Sequence, residues 1–132
     1  MVLFICVQNS ARSQIAEGFF KKYANKSITC VSAGTVPADR VNPYAIEVMK
    51  EVGIDIGANK PKILTNEMID NATITINMGC MDNDSCPILL KNRIMEDWGI
   101  EDPAGKSIEK MRLIRDQIER KVVSLVRQLS ES

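Results

Sequence analysis

A short run of buried-strand character, Leu3-Phe4-Ile5-Cys6-Val7, breaks at polar Gln8-Asn9-Ser10 and passes straight into a helical spacing of apolar residues at Ile15, Phe19 and Tyr23. The same strand-then-helix order recurs down the chain. Ile28-Thr29-Cys30-Val31-Ser32 predicts a second strand closed by Ala33-Gly34, and Asn42-Pro43 opens a helix carrying Ile46, Met49 and Lys50 up to Gly53. Thr65 offers a cap before Met68 and Ile69, and residues 72–78 have the β-branched content of a third strand ended by Gly79. A short fourth strand is expected over 93–98. In the last helix Ile108, Met111, Ile114, Ile118, Val122, Leu125 and Leu129 recur at steps of three and four, with charges on the other face. Strands alternating with helices predict an α/β fold of three layers, a central four-stranded parallel sheet flanked by helices. Ligands of such sheets bind beyond the carboxyl ends of the strands.

The 132 residues are read as a single catalytic domain spanning 1–132, long enough for a core without disulfide staples. Its 17 basic and 17 acidic residues cancel, so no general attraction to nucleic acid or acidic lipid is expected, and any anion must be caught by local donors. No apolar run approaches the ~20 residues of a membrane span, and the opening residues are too short and uncharged for a signal peptide, so a cytoplasmic protein is expected. Histidine is absent, which removes Ser-His-Asp and Cys-His pairs and every histidine-ligated metal site. Cys6, Cys30, Cys80 and Cys86 are then the most reactive side chains. No two of them have the close spacing that zinc favours, so no metal or cofactor is expected. Cys30, inside an apolar strand, reads as a small core residue.

Cys6 stands where the first strand ends, and Arg12 where the first helix begins. Backbone N–H groups of a tight loop entering a helix converge into a nest, and the helix start adds partial positive charge, so Val7, Gln8, Asn9, Ser10, Ala11, Arg12 and Ser13 are expected to bind a tetrahedral oxyanion. The same field should lower the Cys6 thiol from ~8.5 toward the ~3.5–7.5 range of thiols at helix starts, making it a nucleophile. Arg12 offers a planar fork for two oxygens of the anion, and the hydroxyl of Ser10 or Ser13 can donate to the thiolate. The competing reading is a buried cysteine and a solvated surface arginine.

Cys6-Val7-Gln8-Asn9-Ser10-Ala11-Arg12-Ser13, followed by Gln14-Ile15-Ala16-Glu17-Gly18, resembles the signature of low-molecular-weight tyrosine phosphatases and, more closely, of thioredoxin-coupled arsenate reductases built on that fold. Ser32-Ala33-Gly34, Asn42-Pro43-Tyr44-Ala45-Ile46 and the stretch from Trp98 to Lys106 are similar to later landmarks of the reductase branch. The resemblance implies Cys6 as nucleophile, Arg12 as oxyanion binder and Asp102 as general acid, although Asp102-Pro103 also reads as turn punctuation. The phosphatases place an aromatic residue after Asp-Pro, whereas Ala104-Gly105 follows here. Cys80 and Cys86, on a polar loop, suit a redox relay better than two unrelated thiols or half a metal site. In the relay that the resemblance implies, Cys80 attacks Cys6, Cys86 then attacks Cys80, and thioredoxin reduces the resulting disulfide. The expected function is therefore reduction of arsenate to arsenite. The alternative is a low-molecular-weight protein tyrosine phosphatase hydrolysing phosphomonoesters through a Cys6 phosphoenzyme. An oxyanion-binding module without turnover would need Cys6 to be inert.

Two departures stand out. Ala11 takes the place of an extra cysteine found in many relatives, outside the relay. Some reductases hold potassium through residues matched by Asn9, Glu17 and Ser32, but the further hydroxyl and carboxylate ligands are missing near Lys60-Pro61-Lys62. A lysine ammonium, from Lys60 or Lys62, is expected to supply the positive charge, with no potassium requirement. Gly105-Lys106-Ser107 lacks the spacing of a nucleotide-binding loop, and Ser107 is expected to cap the last helix.

Overall fold

Strand β1 (Val2–Cys6) is buried at every position, and its alternating side chains serve two layers. Val2, Phe4 and Cys6 join the larger core cluster with Ile15, Phe19, Phe20, Met49, Ile118 and Val122, while Leu3 and Ile5 pack with Ala33 and Ile69 on the other face. The computed structural model describes residues 1–79 and 95–131. Its sheet runs β2 (Cys30–Gly34), β1, β3 (Ile74–Asn77), β4 (Met95–Asp97), parallel throughout. Helices α1 (Arg12–Tyr23), α2 (Pro43–Lys50), α3 (Asn66–Asn71) and α4 (Ile108–Glu131) complete the three layers expected. From β1 the chain steps outward to β2 and then returns across β1 to β3. Such a reversal leaves a crevice above the carboxyl ends of β1 and β3.

The strands are offset from the patterns that predict them. Residues 28 and 29 stay outside β2, whereas Ala33 and Gly34, expected to close it, are its last two members. Pairing decides this: Gly34 lies opposite Cys6, where a Cβ would come within 2.4 Å of the Val7 carbonyl oxygen. Only glycine fits there. Of the expected fourth strand, residues 93 and 94 lie outside the described residues, and Trp98 follows β4 as a buried plug stacked at a tilt on Phe4.

The α4 stripe is buried as its period predicts, from Met111 through Ile114, Ile118 and Val122 to Leu125. Each such side chain contributes roughly 1.5–3 kcal/mol relative to exposure. Cys30 departs from expectation. It is half-buried at the first position of β2, against the core's edge rather than inside it. Its thiol is pushed up to about 12, first by burial and then by the Glu17 carboxylate.

Helix starts differ in one respect. Asn42 Oδ1 accepts the Tyr44 N–H at 2.8 Å to cap α2, Thr65 Oγ1 accepts the Met68 N–H at 3.2 Å to cap α3, and Ser107 Oγ accepts the Lys110 N–H at 3.2 Å at the start of α4, as expected. The residue before α1 is Ala11, and no side chain caps it. Among the described residues no helix is long and apolar enough to cross a membrane.

Candidate active site

β1 delivers Cys6 to its carboxyl end and α1 begins at Arg12, so residues 7–11 must turn the chain within the crevice. Asn9 makes the turn possible with φ 51, a left-handed conformation that asparagine tolerates better than most residues. The loop's carbonyls all point away from the crevice into hydrogen bonds. Cys6 O accepts the Thr35 N–H (3.3 Å), Val7 O the Val36 N–H (2.8 Å), Gln8 O the Ala38 N–H (3.0 Å) and Ser10 O the Asn42 N–H (2.8 Å). Asn9 O accepts from Gln14 Nε2 at 3.3 Å. With the carbonyls taken up elsewhere, backbone amides such as the Asn9 N–H are left to the crevice, and the first turn of α1 has no side-chain cap to compete for its N–H groups. An anion is the complement of that surface.

At the floor lies Cys6, 3% exposed. Its sulfur accepts the Asn9 N–H at 3.1 Å, and Ser13 Oγ is 2.8 Å away. Ser13 Oγ in turn accepts from Asn9 Nδ2 at 2.7 Å. A backbone N–H donated to a sulfur favours the charged form of a thiol. Of the two serines considered from sequence, Ser13 is therefore the one at the sulfur. Ser10 faces the cavity instead.

Arg12, 7% exposed, is not a solvated surface arginine. Its Nη1 donates to Ile100 O at 2.8 Å and its Nη2 stands 3.8 Å from Asp102 Oδ1. Asp102 itself is two-thirds exposed, and its Oδ1 also accepts the Ala104 N–H at 2.9 Å. The carboxylate thus punctuates the turn, as one reading of Asp102-Pro103 expected, and faces the arginine at once. The 98–100 segment is strapped to the end of β3 through Trp98 N–H to Asn77 O (2.9 Å) and Ile100 N–H to Met78 O (3.0 Å). Gly79, at φ 97, permits that approach, since a Cβ would come within 2.7 Å of Ile100 N.

These elements enclose a cavity of about 590 Å³ whose walls include Cys6, Arg12, Gly79, Asp102 and Ala104. Val7, Gln8, Ser10 and Ala11 line it too, whereas buried Asn9 and Ser13 stand behind the sulfur rather than on the wall. Cys80 and Cys86 lie outside the described residues; Gly79, the residue before Cys80, is on the cavity wall. Three contributors were not singled out from sequence. The 35–42 segment holds the loop's carbonyls, the Ile100 carbonyl aims the arginine, and Gln14 sits fully buried behind Asn9. A polar residue on the inward face of α1 was the one available signal, and only for Gln14.

Of the three residues matched to a potassium site, Asn9 and Glu17 already have partners. Asn9 Oδ1 already accepts the Lys62 N–H (2.9 Å) and Gln14 Nε2 (3.0 Å). The buried Glu17 carboxylate accepts the Ser32 N–H at 2.9 Å and faces two ammonium groups, Lys21 at 3.6 Å and Lys62 at 4.0 Å. Lys62 rather than Lys60 brings positive charge there. Ser32 Oγ, also buried, has no partner among the described residues. Among those residues no three acidic or thiol groups are clustered for a metal ion.

The fold and the cradle together describe a protein built to hold a tetrahedral oxyanion over a cysteine sulfur. The chain belongs to the low molecular weight phosphotyrosine protein phosphatase family, whose model matches residues 1–132. An arsenate reductase 1 of Staphylococcus epidermidis is 42% identical over 118 residues, covering 89% of this chain and 88% of that protein. A solved arsenate reductase in its phosphate binding state is 39% identical with a TM-score of 0.86, covering 96% of each chain. The thioredoxin-dependent arsenate reductase of Corynebacterium glutamicum is 36% identical with a TM-score of 0.79, covering 98% of this chain and 62% of that one.

Proposed function

We propose that this protein is an arsenate reductase that works through Cys6, Arg12 and Asp102 and closes its cycle with Cys80 and Cys86. The observation that carries the chemistry is the Cys6 sulfur, held by the Asn9 N–H at the base of a loop whose carbonyls are taken up by hydrogen bonds elsewhere. The likeness to arsenate reductases supports the choice of arsenate over a phosphate ester. So does Ala104, which leaves the cavity without an aromatic wall after Asp102-Pro103.

The Cys6 thiolate attacks arsenic(V), forming a sulfur–arsenic bond, and one arsenic–oxygen bond breaks as Asp102 protonates the departing oxygen. Arg12 and the loop amides hold the remaining oxygens. Cys80 then attacks the Cys6 sulfur. The sulfur–arsenic electron pair stays on arsenic, which leaves as arsenite, and a Cys6–Cys80 disulfide remains. Attack by Cys86 on Cys80 frees Cys6, and a dithiol reductant of the thioredoxin type, in the cytoplasm, returns two electrons to the Cys80–Cys86 disulfide. Gly79 on the cavity wall supports this order, because Cys80 is its covalent neighbour.

Hydrolysis of phosphomonoesters is the second reading, since Cys6, Arg12 and Asp102 alone suffice for it and all lie on the cavity. Substitutions separate the two. Cys80→Ser and Cys86→Ser should each abolish multiple-turnover arsenate reduction while sparing aryl phosphate hydrolysis, and mass spectrometry after arsenate addition without reductant should find the Cys80–Cys86 disulfide. Reduction that survives either substitution overturns the relay. Reduction that survives Cys6→Ser overturns the mechanism.

A further inference from the structure

We propose that Gln14 is a positioning residue for the nucleophile: it fixes the direction of the Asn9 side-chain amide, and thereby makes the Ser13 hydroxyl donate its hydrogen to the Cys6 sulfur. The proposal rests on Cys6 as the attacking group, and it concerns a residue that need not touch substrate.

A hydroxyl has one hydrogen and two lone pairs, so its orientation decides whether a neighbouring sulfur meets a donor or an acceptor. Ser13 Oγ lies 2.8 Å from the sulfur and 2.7 Å from Asn9 Nδ2. An amide nitrogen only donates. It occupies a lone pair of Ser13 and leaves the hydroxyl hydrogen for the sulfur. Were the Asn9 amide reversed, its oxygen would take that hydrogen and the sulfur would face lone pairs, which repel a thiolate.

The far end of the same amide forbids the reversal. Asn9 Oδ1 receives the Lys62 backbone N–H at 2.9 Å and Gln14 Nε2 at 3.0 Å. Gln14 cannot turn round either. Its nitrogen also faces two carbonyls that can only accept, Asn9 O at 3.3 Å and Lys60 O at 3.4 Å, while its oxygen accepts from Asn59 Nδ2 at 3.1 Å. Gln14 is 0% exposed, so water does not compete for these groups.

The same side chain acts on the Asn9 backbone. Among the loop carbonyls of residues 6–10, four are held by backbone N–H groups of the 35–42 segment, and that of Asn9 is held by the Gln14 side chain. Asn9 is also the residue in the left-handed conformation, and its own N–H is the second donor to the sulfur. Gln14 thus bears on two donors that reach Cys6 from the described residues, Ser13 Oγ and the Asn9 N–H, without lining the cavity.

The test uses the full chain with Gln14→Met, which keeps length and loses the donors, and with Gln14→Glu, which keeps shape and the acceptor facing Asn59. Iodoacetamide alkylation of Cys6 at neutral pH, followed by peptide mass spectrometry, and arsenate kcat should both fall about tenfold or more, with KM for arsenate within about twofold. Combining Gln14→Met with Asn9→Ala should slow alkylation by less than the product of the two single losses, because the side-chain route passes through Asn9 while the hold on the residue-9 carbonyl does not. Alkylation and kcat within about twofold of the parent in whichever variant folds, or fully additive losses in the double variant, would overturn the proposal. If arsenate reduction instead persisted in Cys6→Ser, the underlying assignment of the nucleophile would fail, a result the alkylation rates do not mimic.

Discussion

Among the described residues, helix α1 and the other three helices begin in opposite ways. Asn42, Thr65 and Ser107 each place a side-chain oxygen on an early N–H group, whereas α1 starts behind Ala11 with nothing in that role. A missing cap costs roughly 0.5–2 kcal/mol. α1 tolerates the loss because Ile15, Ala16, Phe19 and Phe20 are completely buried beneath it. A helix anchored by completely buried side chains is the one whose amino end stays open, and that end faces the cavity. Stability and ligand capture draw on the same N–H groups, and here they are divided between different helices.

Three changes would break or sharpen that contrast. Arg12→Lys keeps the charge at the open helix start but removes the planar fork and its bond to Ile100 O; arsenate kcat/KM should fall by about 100-fold or more, with aryl phosphate hydrolysis falling in step. A loss under tenfold would mean that the amides alone orient the anion. Ala11→Asp gives α1 the acceptor it lacks and sets a carboxylate where the oxyanion belongs. KM for arsenate should rise about tenfold or more while the melting temperature holds or increases; an unchanged KM would show that the uncapped start has no part in binding. Ser107→Ala, at the far simpler start of α4, should cost about 1 kcal/mol by denaturant unfolding and leave arsenate kcat and KM unaltered.

The sheet and its helices were readable because the cues are local and periodic. The strand run ending at Cys6 and the α4 stripe needed no knowledge of neighbours, and the Ser107 cap followed from residue type alone. Strand limits were less readable, since β2 is placed by pairing with β1 and by the space denied at Gly34, not by its own side chains. In the cradle, Cys6, Arg12 and Asp102 were visible as chemistry-bearing residues at telling positions. The groups that aim them were not. Carbonyl partners in the 35–42 segment and the Ile100 oxygen are backbone atoms, identical in every residue type, so composition carries no trace of them. Gln14 was legible only as part of a motif; its work depends on Lys60, 46 positions away, being folded back against it, and on the Lys62 N–H reaching Asn9.

The contact between Gly34 and the Val7 carbonyl bears on how such an enzyme could be retuned. A single methyl group on β2 would have to displace the main chain that carries the chemistry, so the second strand acts as a template pressed directly against the reactive loop. Residues around the cavity's mouth are free to change partner preference, but that one point of backbone-to-backbone touch must be inherited intact.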